Sequence, residues 1–300
     1  AVNPSYLGGI DGMSAGAVFS ATAISAGIAT LCMAFFANYP VALASGMGLN
    51  AFFAFTVCGA MGYSYKVALT AVFIEGIIFM LLSLFKFREA LVNKIPSNLK
   101  FAITAGIGLF IAIIALLNAN VVVASESTTV ALGELSSPTV VLSLVGLLII
   151  GALQHYKVPG GILLGILITW VLGIMAQLVG WYVPNPEAGV YSVIPQFSLS
   201  SFEAPKMFQF DFGFIAKNVP AFILIVFTFL YTDIFDTVGT LIGVAEKGKL
   251  LDKDGSLPNA TGALMADAVG TVVGACFGTS TVTSYVESSA GVAAGGRTGL

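Results

Sequence analysis

No charged side chain interrupts the sequence between Ala15 and Ala37. A run of that character matches the roughly 20 apolar residues an α-helix needs to cross the hydrocarbon of a bilayer. Comparable runs follow at 65–85, 99–117, 139–153, 160–179, 214–244 and 257–277. The chain is thereby constrained to an all-α, polytopic membrane protein, expected in the plasma (inner) membrane. Composition agrees: hydrophobic residues make up 57% and charged residues 9%, with a mean hydropathy of +0.97, whereas a soluble domain is about a quarter charged. A net charge of −3 offers nothing to nucleic acid. Cys32, Cys58 and Cys276 lie far apart in apolar runs and read as packing residues, not as a metal site or disulfide framework.

Two segments break the pattern. Residues 40–58 open Pro-Val-Ala-Leu-Ala and continue Ser45-Gly46-Met47-Gly48-Leu49-Asn50-Ala51-Phe52-Phe53. The spaced glycines and mid-span Asn predict an extended half that breaks into a short helix, with its positive end near Gly48–Asn50. Residues 278–291 are rich in hydroxyls and β-branched side chains and carry one carboxylate, Glu287. Irregular backbone at membrane depth survives only where protein covers it or where it lines a cavity. Both segments therefore read as walls of a solute pocket.

Orientation follows from the basic residues. If the loop with Lys86, Arg88, Lys94 and Lys100 is cytoplasmic, alternation puts Lys157, Lys247, Lys249 and Lys253 on the same side and leaves Lys66, Lys206 and Lys217 outside. Residues 181–212 form a polar loop with Trp181, Tyr182 and Tyr191 at interface-like positions. The chain starts Ala1-Val2-Asn3-Pro4 without Met and is expected to be an internal piece of a longer protein.

Glu75, Asp233, Asp236, Asp267 and Glu287 all fall inside spans. A charge at the bilayer centre costs at least about 2.5–3.5 kcal/mol, so each acid needs a partner, a proton or water. Asp236 and Thr240 stand one helical turn apart on one face, with Asp233 in reach of it. Asp236 and Glu287 read as ligands for a solute or a proton. Asn50 reads as a solute contact or a pocket support. Asp233, Glu75 and Asp267 read as carboxyls hydrogen-bonded inside the bundle, with Asp267 holding the core. His155, the single histidine, reads as solvated. Phe52, Phe53 and Tyr285 are candidates for stacking on a flat ring.

Three blocks carry a resemblance. Ser45 to Phe53, then Phe235-Asp236-Thr237-Val238-Gly239-Thr240-Leu241, then Thr279-Ser280-Thr281-Val282-Thr283-Ser284-Tyr285-Val286-Glu287-Ser288-Ser289-Ala290-Gly291-Val292 resemble the AzgA-like branch of the nucleobase–cation symporters. That branch carries adenine, guanine and hypoxanthine. The resemblance implies 14 spans in two inverted seven-span repeats, with a short strand and half-helix in spans three and ten. It implies a fragment: residues 1–95 and 214–300 supply the two parts of a core domain, residues 96–213 supply part of a gate domain, and spans eleven to fourteen are missing, so the piece alone is expected not to transport. It also implies that a purine contacts Asp236, Glu287, Asn50, Thr240, Tyr285 and Val286, that Glu287 or Asp236 takes the coupled proton, and that no cofactor is needed beyond the coupling ion, H+ or Na+. A homodimer in the bilayer is compatible with it, and enzymatic activity is not implied.

Three other readings stay open. A related carrier of uracil, xanthine or small anions shares the architecture, although an anion carrier is expected to offer a positive pocket. An intramembrane aspartyl protease needs two carboxyls sharing a proton; Asp236 and Asp267 would have to serve, without the Tyr-Asp or Gly-x-Gly-Asp segments of that class. A passive channel predicts flux without saturation.

Overall fold

The computed structural model describes residues 2–84, 97–125, 128–185, 190, 192–194, 203–252 and 257–299. Lys86, Arg88, Lys94, Tyr191 and Lys253 lie outside them. In chain order the elements are α1 (Val2–Leu7), α2 (Ala15–Ala37), β1 (Leu43–Ser45), α3 (Met47–Ala51) running into a π-helical stretch (Phe52–Ala60), α4 (Tyr65–Leu84), α5 (Ser97–Asn118), β2 (Val122–Ser125), β3 (Thr129–Leu132), α6 (Pro138–His155), α7 (Gly161–Leu178), α8 (Gly213–Lys217), α9 (Val219–Gly248), α10 (Ala260–Phe277), β4 (Val282–Ser284) and α11 (Ser288–Ala293). Six of the described helices, α2, α4, α6, α7, α9 and α10, are long and apolar enough to cross a membrane.

Local chemistry sets several boundaries. Ser14 caps α2 by accepting from the Ala17 N–H, and Asn38 ends it in the left-handed region. Ser137 caps α6 ahead of Pro138 at the first helical position. Gly278, at φ +89°, ends α10. Tyr39, just past α2, donates its hydroxyl to the Pro258 carbonyl; burial, with a smaller push from Asp252, raises that hydroxyl to about 12.

The chain divides into two compact units, residues 1–104 with 198–300 and residues 105–197. The expected boundaries lie at 95/96 and 213/214; the segment ahead of α8 bonds to α2, α4 and α10 of the larger unit. In the larger unit, one apolar cluster gathers Met33, Phe79, Leu241 and Leu264. A second gathers Leu7, Phe53, Val72 and Phe229. Helix α10 is the hub, packed on α2 and α4. Its small residues allow the approach: a Cβ on Gly270 would stand 2.7 Å from the Ala29 Cβ and 3.2 Å from Val282 Cγ1. The run 214–244, too long for one straight span by length alone, is a short α8 followed by the continuous 30-residue α9. Lys247, expected in the loop after this span, lies in the last turn of α9, and Lys249 follows as its left-handed cap.

The smaller unit contains a two-stranded hairpin, β2–β3, paired from Val122–Leu132 to Ser125–Thr129; no such hairpin was expected. Its helices α6 and α7 pack together along an apolar groove of about 440 Å³ lined by Leu142, Gly146, Ile150, Thr169 and Trp170, with the Trp170 indole donating to the Val193 carbonyl. His155 lies exposed at the end of α6.

Candidate functional site

Strands β1 and β4 pair antiparallel, with Leu43 opposite Ser284, Ala44 opposite Thr283 and Ser45 opposite Val282. A two-stranded sheet at membrane depth has two open edges, and each exposed peptide group there is expensive. Helical hydroxyls close them. Thr30 of α2 accepts from the Leu43 N–H at 3.0 Å and donates to its carbonyl at 3.3 Å. Thr271 of α10 donates to the Val282 carbonyl at 2.9 Å. The Gly46 N–H reaches the Thr281 carbonyl, and the Tyr285 N–H reaches the Ala42 carbonyl. The pair thus continues at both ends.

The half-helices α3 and α11 leave from opposite ends of this pair. The first intrahelical bond of α3 runs from the Asn50 N–H to the Gly46 carbonyl. The N–H groups of Met47, Gly48 and Leu49 precede it and carry the positive end of the helix toward the crossing. Gly46 fits because a Cβ there would stand 2.7 Å from Thr283 Cγ2, and 3.7 Å from Asp236 Oδ2. The Asp236 carboxylate therefore faces the start of α3. Tyr285, just past β4, donates its hydroxyl to the Ser45 carbonyl at 2.8 Å. Asp236, Glu287 and Tyr285 lie within electrostatic reach of one another. Glu287 is exposed, and Asp236, Tyr285 and Val286 are half-buried.

Asn50 and Thr240 stand differently. Asn50 is 1% exposed and accepts from the Ser280 hydroxyl, which ties α3 to the other broken span. Its amide nitrogen has no hydrogen-bond partner among the described residues. Thr240 is buried at 2% exposure. Phe52 and Phe53 are engaged edge-on with Phe229. Asp233 and Glu75 are fully buried.

Asp267 is an anchor. It accepts from Thr237 of α9 at 2.8 Å and from Ser284 of β4 at 3.1 Å, and Thr237 also meets the Thr283 hydroxyl at 3.0 Å. One buried carboxylate thus links the residue after Asp236 to the residue before Tyr285. A second anchor, absent from the sequence-based expectations, surrounds Asn3. Its amide nitrogen stands 2.6 Å from the Thr22 hydroxyl, 2.7 Å from that of Thr279 and 3.1 Å from that of Ser45, three acceptors sharing its two N–H groups. The hydroxyl richness of 279–284 was the available signal for these contacts; the identity of the partners was not.

Chemically, the crossing offers two carboxylates as acceptors and the first peptide groups of α3 as donors. A flat, neutral solute with ring N–H donors beside carbonyl or ring-nitrogen acceptors matches that arrangement.

A family model described as Permease family (Xan_ur_permease) matches residues 2–299. The chain is 46% identical over 299 residues to a putative permease of Methanocaldococcus jannaschii, covering 100% of this chain and 65% of that protein. It is 46% identical over 306 residues to the guanine/hypoxanthine permease PbuO of Bacillus subtilis, covering 100% and 67%. It is 42% identical over 299 residues to the adenine permease AdeQ of Escherichia coli, covering 100% and 64%. The chain thus spans about two thirds of the length of these curated relatives. Among solved structures, the transmembrane domain of the cyanobacterial bicarbonate transporter BicA aligns over 99% of this chain and 74% of that one, with a TM-score of 0.60 and 16% identity; that likeness concerns the fold.

Proposed function

Because this chain belongs to the Permease family, we propose that it forms part of a multi-pass secondary transporter that imports the purine nucleobases adenine, guanine and hypoxanthine. The observation that carries the reading is the placement of Asp236 and Glu287 around the β1–β4 crossing, with Asp236 facing the start of α3. The names of PbuO and AdeQ support the substrate class.

In this mechanism the purine lies at the crossing. Its ring N–H groups donate to the Asp236 and Glu287 carboxylates, its acceptors take the Met47–Leu49 N–H groups, and Tyr285 and Val286 border it. Asn50 and Thr240 act from behind, supporting the half-helix and α9. A proton taken up by one carboxylate couples import to the proton gradient, and alternating access moves a core containing the larger unit against a gate containing the smaller one. The complete transporter has 14 spans in two inverted repeats.

Competition distinguishes this reading from its rivals. With the complete transporter purified in detergent, unlabelled adenine and guanine are expected to displace radiolabelled hypoxanthine at micromolar concentrations. Uracil, xanthine and bicarbonate at tenfold higher concentration are expected not to. Displacement by bicarbonate, the ligand named for BicA, would replace the purine reading with an anion carrier.

A further inference from the structure

The segment that precedes α8 crosses one end of the larger unit and touches three helices. The Glu203 carboxylate accepts from Ser14, the N-cap of α2. The Lys206 ammonium donates to the Gly12 carbonyl at 2.7 Å. The Phe208 N–H donates to the carbonyl of Cys276, in the last turn of α10, at 2.9 Å. The Asp211 N–H donates to Thr70 of α4 at 2.8 Å, and Phe210 packs on Phe73 with ring centroids 4.7 Å apart.

The contact with α10 is tight. A Cβ on Gly278 would stand 2.7 Å from the Lys206 carbonyl oxygen, and Gly278 is at φ +89°. Phe208 holds φ +53°, a region that disfavours residues with a Cβ. Such a conformation persists only where its surroundings over-determine it, and the Cys276 bond is one of those surroundings. Immediately beyond Gly278, Thr279 enters the Asn3 anchor and Ser280 bonds Asn50. The segment therefore fixes the chain at the point where it leaves α10 and enters the broken span.

We propose that residues 203–211 form a clasp that positions the broken span for substrate, with Phe208 and Lys206 as positioning residues: Phe208 holds Cys276 through its N–H, Lys206 ties the segment to the Gly12 turn, and together they set where Tyr285, Val286 and Glu287 stand. The assignment of purine as the substrate rests on the preceding section. The clasp itself rests on the contacts above.

Phe208→Pro and Phe208→Gly separate the clasp from the bulk of the side chain. Proline removes the N–H and imposes a negative φ. Glycine keeps the N–H and relaxes the backbone. In the complete transporter reconstituted in liposomes, Phe208→Pro is expected to raise KM for hypoxanthine about tenfold while Vmax stays within about twofold, as misplacement of a binding element predicts. Phe208→Gly is expected to keep both within about twofold. A second readout does not use purine: with Cys32→Ser and Cys58→Ser in place, maleimide labelling of Cys276 is expected to accelerate several-fold in Phe208→Pro and not in Phe208→Gly. If Phe208→Pro fails to reach the membrane, Lys206→Met is measured by the same two criteria. An unchanged KM in the loosened variant, with or without faster labelling, overturns the positioning role. Absence of hypoxanthine uptake in the unaltered protein, with the labelling contrast intact, would count against the purine reading and leave the clasp standing.

Discussion

Replacing Glu287 with Gln, or Asp236 with Asn, is expected to lower the efficiency of hypoxanthine uptake at least about 100-fold in the complete transporter. Each substitution keeps the shape and removes the charge. A hydrogen bond to a charged group contributes about 1.5–3 kcal/mol, and about 2.7 kcal/mol corresponds to a factor of 100. Each amide also presents a donor where the purine presents its own N–H, so an attractive contact becomes a repulsive one. The two sites differ in what else they do. Glu287 is exposed, so its replacement is expected to leave the melting temperature unchanged. Asp236 faces Gly46 at the start of α3, and Asp236→Asn is expected to loosen that packing slightly. Uptake within about threefold of the unaltered protein in either variant would remove that residue from the site.

Asp267→Ala is the substitution with the largest expected effect on stability. Asp267 is fully buried and holds Thr237 and Ser284 together. Alanine leaves the Ser284 hydroxyl without its acceptor and Thr237 with Thr283 alone, at a cost of roughly 1–3 kcal/mol for a buried polar group left unmade, with the cavity in addition. A fall in melting temperature on the order of 10 °C is expected. Purine affinity is expected to fall with it, because Thr237 adjoins Asp236 and Ser284 adjoins Tyr285. Asp267→Asn keeps one carbonyl acceptor and is expected to recover part of both losses. Thermal unfolding followed in detergent, with hypoxanthine binding on the same samples, checks this; an Asp267→Ala protein with unaltered melting and affinity would show that the anchor does not hold the crossing.

What the sequence makes legible follows from solvation. A charge-free run such as 15–37 has to be a buried or lipid-facing helix, and α2 ends within the same bounds. Gly46 and Gly278 mark where regular backbone stops, and β1 and β4 lie beside them. The strand register is not legible, because it depends on which hydroxyl closes which edge, and Thr30 and Thr271 reach Leu43 and Val282 from other helices. The expectation that Asp267 holds the core agrees with its bonds to Thr237 and Ser284, although its partners lie 30 and 17 residues away in sequence. The β2–β3 hairpin is not legible because Val122–Leu132 sits between apolar spans and shows little alternation of polar and apolar residues. The clasp is not legible because the 181–212 loop reads only as polar and aromatic. Its bonds run from main-chain and charged groups to α2, α4 and α10, contacts that exist only once those helices are assembled.

Purine binding at the β1–β4 crossing and its transport with a proton are checked together by radiolabelled hypoxanthine uptake into proteoliposomes containing the complete transporter, with and without an inward proton gradient. Uptake is expected to be saturable, to collapse when the gradient is removed and to be competed by adenine and guanine. Saturable uptake indifferent to the gradient would contradict the proton coupling, and no hypoxanthine uptake or binding under either condition would contradict the assignment of the crossing as a purine site.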